Sequence, residues 1–548
     1  MYANKPWLKF YDKSVHASID YPEKSLYSLF EEAVKNFGDN TAYNYYGQQC
    51  TYKQLGGLIG AFASALHGLG VKKGDRVAVM LPNCPQFVIA YFAIVRLGAI
   101  VVNTNPLYTE REIRHQANDS GAKAIITFVE AIPRVMAVKP QTGLENVILT
   151  SLQGQKPEEL PEGSLWMQDI MATATGEIPQ VNIDPKDDVA VLQYTGGTTG
   201  VSKGAMLTHF NLVSNAMQTL EWCDGVTTER IMTVLPLFHV YGMTCCMNFA
   251  LITGGTMLLY PRFEPKEILE AIKQHQPSVF PGVPTMYTAL LNHPDSEQYD
   301  LSVVGFFNSG AASMPLELAE KLKKRLAGTE AVYSEGYGLS EASPVTHTNP
   351  IHTLIKTGSI GIPYPDTECK VMDIETGLQE MAVGEPGELV IRGPQIMKGY
   401  WNKPEETGNT LRNGWLYTGD IAKMDEDGFF YIVDRKKDMI IAGGYNIYPR
   451  DIEEVLYEMP QIQEAVVAGV TDPYRGETVK AFIVLKEGQE LTVEEVTEFC
   501  KKELAPYKVP KLIEFKKELP KSAVGKLLRR VLVEEEKQRV KEAEPKAE

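Results

Sequence analysis

The sequence predicts an α/β protein: a large N-terminal domain of layered sheets and helices, followed by a small α+β C-terminal domain. Three observations lead there. Through most of the chain, apolar runs of strand length alternate with amphipathic helical stretches, the pattern of parallel sheets covered by helices. Beyond Asp434 the same alternation recurs on a smaller scale. The 548 residues are enough for more than one hydrophobic core.

The elements follow in order. Thr51 to Leu69 spaces its apolar residues as one face of a helix. RVAVML, Arg76 to Leu81, reads as a buried strand, and Gln86 to Leu97 as a helix. AIVVNTNP ends a second strand at Pro106. The region from Val77 to Val102 is the most apolar in the chain. Pro82, Asn83, Pro85, Gln86 and Arg96 interrupt it, which favours core elements over a membrane span. Further on, VAVLQYT reads as a strand, KGAMLTH as a second strand, and a helix starts at His209. The glycine-rich YTGGTTGVSKG between them is therefore expected on a hairpin. A boundary is expected near Asp434, in VDRKKDMIIAGGYNIYP. After it come a helix from Pro449 to Met459, strands at EAVVAGV and VKAFIVLK, and a helix at VEEVTEFCKKEL. The segment from Glu534 is almost devoid of apolar residues and reads as a frayed helix or a disordered tail.

Composition narrows the functional classes. A formal net charge of −16 argues against nucleic acid as a partner, which needs a basic footprint. Seven scattered cysteines without a C-x-x-C pair argue against a disulfide framework or a zinc site, and point to a reducing cytoplasm. The N-terminus lacks the pattern of a signal peptide. Membrane contact is expected to be peripheral if it occurs, at the inner face, and a homodimer is the assembly to be considered.

Several short stretches carry chemistry. Tyr194 to Gly204 holds four glycines, three threonines, a serine and a lysine. Glycines let backbone amides turn toward an anion, and hydroxyls add donors without bulk. The order departs from a Walker A loop: Gly200 is followed by Val201, Ser202 and only then Lys203. NSGAASMP and YSEGYGLSEASP are small-residue stretches suited to a flat ligand near backbone. Tyr337 in the second could stack on an aromatic base, and Glu341 could give Mg²⁺ one oxygen ligand. His239 sits in PLFHVYG; a lone histidine there is more often a core group than a catalyst. Asp420 follows a Thr-Gly turn and could accept hydrogen bonds from vicinal hydroxyls. Arg435 could reach a phosphate or ribose. Lys526 lies in LPKSAVGKLLRR, in isolation an exposed basic loop.

Taken in this order, the stretches resemble the adenylate-forming superfamily of acyl- and aryl-CoA ligases, luciferase and peptide-synthetase adenylation domains, from about Tyr27 to about Arg530. The loop of Thr195, Gly196, Gly197, Thr198, Thr199, Gly200 and Lys203 matches the family's phosphate loop. Gly310, Ala311 and Ala312 match its adenine turn, and Tyr337, Gly338, Ser340 and Glu341 match its Y-G-x-[ST]-E motif, with Glu335 and Gly336 just before it as further nucleotide-site residues. Asp420 falls on its ribose-binding aspartate, Asp434 to Lys437 on its D-R-x-K hinge, and Lys526 on its C-terminal lysine. The stretch from Asn413 to Lys437 is similar to the signature of fatty acyl-CoA synthetases, and the run from Tyr364 to Arg530 is similar throughout to bacterial long-chain fatty-acid–CoA ligases. Met243 stands where some of these place a tryptophan gate. His239 stands where amino-acid-adenylating domains place an aspartate, which argues against that branch.

The resemblance implies an ATP-dependent ligation of a long-chain fatty acid to coenzyme A through an acyl-adenylate, with a medium-chain or aryl acid as the alternative. It implies ATP, Mg²⁺ and coenzyme A, with Glu341 and Thr195 on the metal and His239 near the acyl carboxylate or pantetheine. It further implies a body over residues 1–434, a hinge at 435–437 that rotates about Lys437, a mobile lid over 438–533 and a charged tail at 534–548. Rotation would swing Lys526 away and bring Gly443 and Gly444 toward the pantetheine arm.

Overall fold

The computed structural model describes residues 2–174, 176, 178–195, 202–225, 229–442, 445–472, 476–523 and 525–543. Among these, four sheets organise the chain.

An eight-stranded sheet has at its centre the parallel strands Arg76–Met80, Ile100–Asn103, Ala124–Phe128 and Asn146–Thr150. Alternate residues of these strands go to different cores. Val77, Val79, Val101, Ile126 and Ile148 join the large central cluster. Ala78, Met80, Val102, Ile125 and Val147 join a second cluster on the opposite face. A parallel sheet buried on both faces must read as a continuous apolar run, which is why RVAVM looks as it does. The helix Pro85–Arg96 is buried almost all round, from Phe87 to Val95. At twelve residues it spans only about 18 Å, and no described helix is long and apolar enough to cross a membrane.

The nine-stranded sheet joins distant segments. Thr41–Tyr45 lies parallel to Thr256–Leu259, and Phe306–Ser309 lies between Val279–Gly282 and Val332–Gly338. Helix Tyr52–Gly68 starts at a capping box: Thr51 accepts from the Gln54 amide while Gln54 reaches back to the Thr51 amide. Helix His209–Trp222 starts the same way at Thr208 with Asn211.

A five-stranded antiparallel sheet contains Trp415–Met424 paired with Phe430–Arg435. The central core ends at Phe430. A separate cluster begins at Ile440 and runs to Val509, built on the last sheet, with Ile462–Asp472 and Gly476–Leu485 as its long hairpin. The other face of that hairpin packs Val466, Ala468, Phe482 and Val484 against Leu519 and Leu532.

Leu532 belongs to a helix, Arg529–Ala543, so the charged segment continues it from Glu534 as far as Ala543. This differs from a disordered tail for an electrostatic reason. Glu536 meets Lys480 at 2.8 Å and Glu535 meets Lys516 at 2.7 Å, so acidic residues without apolar neighbours still hold the helix to the sheet.

Candidate active site

The site forms where strands of the two large sheets end and the C-terminal lobe leans in. Val189–Thr195 and Lys203–Thr208 pair antiparallel, with Thr195 opposite Lys203. The loop thus stands on a hairpin, without a helix dipole behind it. Ser202 Oγ donates to the Thr195 carbonyl at 2.5 Å and closes the base. Gly196, Gly197, Thr198, Thr199 and Gly200 lie outside the described residues. Lys203 Nζ is 4.0 Å from Glu406 Oε1 and 5.3 Å from the centre of the Tyr400 ring.

The small-residue stretches follow the ends of Phe306–Ser309 and Val332–Gly338. A Cβ on Gly310 would come to 3.1 Å from the Tyr241 ring, and Ala311 has a left-handed φ of 66°. Ala312 is exposed beside it. The Tyr241 hydroxyl donates to Asn308 Oδ1 at 2.7 Å, fixing the end of that strand. A Cβ on Gly336 would meet Thr348 Oγ1 at 3.0 Å, and one on Gly338 would run into the Pro344 carbonyl. Glu335 is buried, its carboxyl accepting from the Gly358 amide at 2.9 Å; burial pushes its pKa up to about 7. Ser340 and Glu341 share a single 3₁₀ turn. Glu341 Oε1 accepts from the Tyr400 hydroxyl at 2.7 Å.

Tyr337 donates its hydroxyl hydrogen to Asp420 Oδ2 at 2.5 Å. Asp420 stands opposite Arg435 in the ladder, with Oδ1 3.4 Å from Arg435 Nε. Lys526 arrives from the other lobe on a tight turn. Ser522 donates its amide to the Lys526 carbonyl, and Ser522 Oγ accepts the Lys526 amide. Gly525 in this turn has φ +77°, and a Cβ there would meet Thr285 Oγ1 at 2.6 Å. Only glycine satisfies both conditions.

Burial and then the Arg435 charge hold the Lys526 pKa down to about 7, while Asp420 and Asp438 oppose them. Burial, and then the charge of Lys526, hold His239 down to about 4, so its ring is neutral at physiological pH. Lys437, though exposed at one side, is lowered to about 8, first by burial and then by Arg435; Asp438, Asp420 and Glu341 pull the other way. These groups therefore share one electrostatic neighbourhood. Gly443 and Gly444 lie outside the described residues.

The profile of the AMP-binding enzyme family matches residues 30–401, and that of the AMP-binding enzyme C-terminal domain matches residues 451–526. The chain belongs to the AMP-binding enzyme family. It is 47% identical to a long-chain-fatty-acid–CoA ligase of Bacillus subtilis (strain 168), covering 98% of this chain and 99% of that protein. Identity to the long-chain-fatty-acid–CoA ligase of Escherichia coli O157:H7 is 40%, over 98% and 99%. Among solved structures, the anthranilate CoA ligase AuaEII in complex with anthranoyl-AMP superposes with a TM-score of 0.85 at 27% identity, over 95% of this chain and 99% of that one.

Sequence reasoning missed several residues of this AMP-binding enzyme site. Tyr400 touches two predicted site residues, Glu341 and Lys203, yet did not stand out as chemistry. The Gly399–Tyr400 pair was the available signal, since glycine inside a strand marks a close approach; a Cβ on Gly399 would meet Thr407 Cγ2 at 2.7 Å. Arg529, read as part of an exposed basic loop, is instead enclosed by Asp438 at 2.9 Å, Glu453 at 2.7 Å and Asp434 at 3.6 Å.

Among the described residues no group of three or more His, Cys, Asp or Glu side chains could hold a metal unaided. Glu341 and Thr195 are one carboxylate and one hydroxyl. That set fits magnesium bound chiefly through phosphate oxygens and water, the usual arrangement for this ion.

Proposed function

We propose that this chain is an ATP-dependent long-chain-fatty-acid–CoA ligase working through an acyl-adenylate. The observation that carries the adenylation step is the seating of the Lys526 turn against the N-terminal body, where Thr285 Oγ1 donates to the Gly525 carbonyl at 3.5 Å and the charges of Arg435 and Asp420 act on the half-buried Lys526. The long-chain assignment is supported by near full-length identity to ligases of that name.

In the first half-reaction a carboxylate oxygen of the acid attacks the α-phosphorus of ATP, and the bond to the bridging oxygen breaks as pyrophosphate leaves. Negative charge accumulates on the phosphate oxygens, so a fixed cation lowers the barrier most when it touches both reactants. Lys526, protonated, fills that role between the carboxylate and the α-phosphate. Asp420 holds the ribose hydroxyls, with Tyr337 fixing its carboxylate. The small residues at Gly310–Ala312 and Gly336–Gly338 leave room for the base. Thr195 and Lys203 bracket the loop that receives the β- and γ-phosphates. A magnesium ion, when bound, would neutralise phosphate charge, with Glu341 and Thr195 as its protein ligands. Neutral His239 borders the acyl carboxylate as a hydrogen-bonding wall.

In the second half-reaction the coenzyme A thiolate attacks the acyl carbonyl and AMP departs. Lys526 has no part in that step. Rotation about Lys437 would withdraw it and present the segment from Ala442 to Tyr445 to the pantetheine arm. Body, hinge and lid would then divide at residues 434, 435–437 and 438.

The test is ATP-dependent thioester formation across acids of rising length. Each buried CH₂ contributes roughly 0.8 kcal/mol, so kcat/KM should climb about fourfold per carbon for as long as each added carbon is buried on binding. A maximum at acetate or benzoate would overturn the long-chain reading and leave an acyl-CoA ligase of another branch.

A further inference from the structure

Glu341 and Lys203 sit on different elements, and one side chain touches both. Tyr400 lies on the short strand Gly399–Tyr400, which adds to the edge of the eight-stranded sheet beside Lys203–Thr208. The backbone there is pinned on both sides. Lys398 donates to the Met206 carbonyl at 2.9 Å and Trp401 to the Gly204 carbonyl at 2.8 Å. The Tyr400 amide itself donates to Thr407 Oγ1 at 2.9 Å. The ring is therefore fixed relative to the phosphate hairpin. Its hydroxyl donates to Glu341 Oε1 at 2.7 Å, and its face lies under the Lys203 ammonium at 5.3 Å, within cation–π range. The segment also holds the Glu341 backbone, whose carbonyl accepts from the Met397 amide at 2.8 Å.

We propose that Tyr400 is a positioning residue for nucleotide binding, aiming the Glu341 carboxylate through its hydroxyl and supporting Lys203 through its ring. The two groups that would meet the ATP tail, one anionic and one cationic, are thereby set by a single rigid side chain. Without it, Glu341 loses the hydroxyl donor that fixes its rotamer, and among the described residues Lys203 keeps the loose contact to Glu406 at 4.0 Å. The hydroxyl and the ring act on different partners, so their effects separate. This inference rests on the nucleotide-binding roles given above to Glu341 and Lys203.

The experiment is calorimetric titration of ATP with magnesium, in the absence of any acid, so that binding is read without turnover. Glu341→Gln and Lys203→Met should each weaken binding; if neither does, the nucleotide roles fall and this inference falls with them. Tyr400→Phe removes only the hydroxyl and should raise Kd about fivefold in the parent chain, but less than twofold in the Glu341→Gln background. Tyr400→Leu removes the ring as well and should weaken binding further than Phe. That extra loss should disappear in the Lys203→Met background. Equal losses in parent and variant backgrounds would show that Tyr400 acts only as packing and would overturn the inference while leaving the nucleotide roles intact.

Discussion

Asp420 and Arg435 face each other across one antiparallel ladder, Oδ1 to Nε at 3.4 Å, and they act on Lys526 in opposite directions. Burial, and after it the Arg435 charge, drives the lysine's proton off; Asp420 helps retain it. The balance leaves Lys526 near pKa 7, far below an ordinary lysine. The site thus holds a lysine whose charge depends on what is bound beside it.

ATP should change that charge. Phosphate oxygens near Lys526 favour the ammonium form and raise its pKa. At pH 8 the free site is mostly neutral at this position, so ATP binding should take up a proton, approaching one per site. At pH 6 the lysine is already charged and the uptake should vanish. Calorimetry in buffers of different ionisation enthalpy measures this directly. Lys526→Met should abolish most of the uptake at pH 8; uptake unchanged in that variant would place the titrating group elsewhere.

The two half-reactions should separate at the same residue. Lys526→Ala removes the cation that bridges the reactants of adenylation, a loss of roughly 10²–10³ in rate by analogy with other transition-state donors. Thioester formation from supplied acyl-adenylate should fall much less, within about tenfold. Rapid-quench measurement of each step decides, and equal losses would contradict the role assigned to Lys526. Lys203→Ala should weaken adenylation less than Lys526→Ala does.

These residues stood out in the sequence through their joint order, which resembles a known family; taken alone, the stretch around Lys526 reads as an exposed basic loop. The hairpin under the phosphate loop was legible for a different reason. VAVLQYT and KGAMLT are strand-length apolar runs, and the Thr208 cap marks the helix start at His209. What sequence could not supply was adjacency. Nothing periodic tells that Thr41–Tyr45 pairs with Thr256–Leu259, or that the Tyr337 hydroxyl closes on Asp420. The choice between a frayed helix and a disordered tail beyond Glu534 stayed open in the sequence because the partners that hold the helix, Lys480 and Lys516, lie on a strand and a loop read separately.

Glu335 offers a stability test free of catalysis. Its folded pKa of about 7 lies above the ordinary 4.5, chiefly through burial. Between those values the folded chain keeps a proton that the unfolded chain has lost. The associated stability is complete below pH 4.5 and declines as pH rises to 7. Glu335→Gln keeps an acceptor for the Gly358 amide and removes the titration. From pH 4.5 to pH 8 the variant should therefore gain roughly 2–3 kcal/mol relative to the parent. Denaturant unfolding at both pH values measures it, and parallel pH profiles would refute the assignment.

Arg529 should hold the lobe that carries Lys526. Its guanidinium joins Asp438, next to Lys437, to Glu453 on the helix Pro449–Tyr457, and approaches Asp434 on the preceding strand. Glu453 in turn accepts from the Val467 amide at 2.8 Å, tying the cluster to the hairpin. Asp434 itself accepts from the Arg450 amide at 3.0 Å, and burial lifts its pKa to about 6. Removing the one side chain among the described residues that meets all three carboxylates leaves them mutually repelling and partly desolvated. Arg529→Gln should cost roughly 3 kcal/mol, within the range for breaking a buried ion pair. The loss should be smaller in a Glu453→Gln background, where one of the repelling charges is already gone. Adenylation should slow more than thioester formation, because the same cluster anchors the turn that presents Lys526. Melting curves and the two half-reaction rates test this together. An unchanged melting point, or a larger loss from thioester formation than from adenylation, would remove Arg529 from that role.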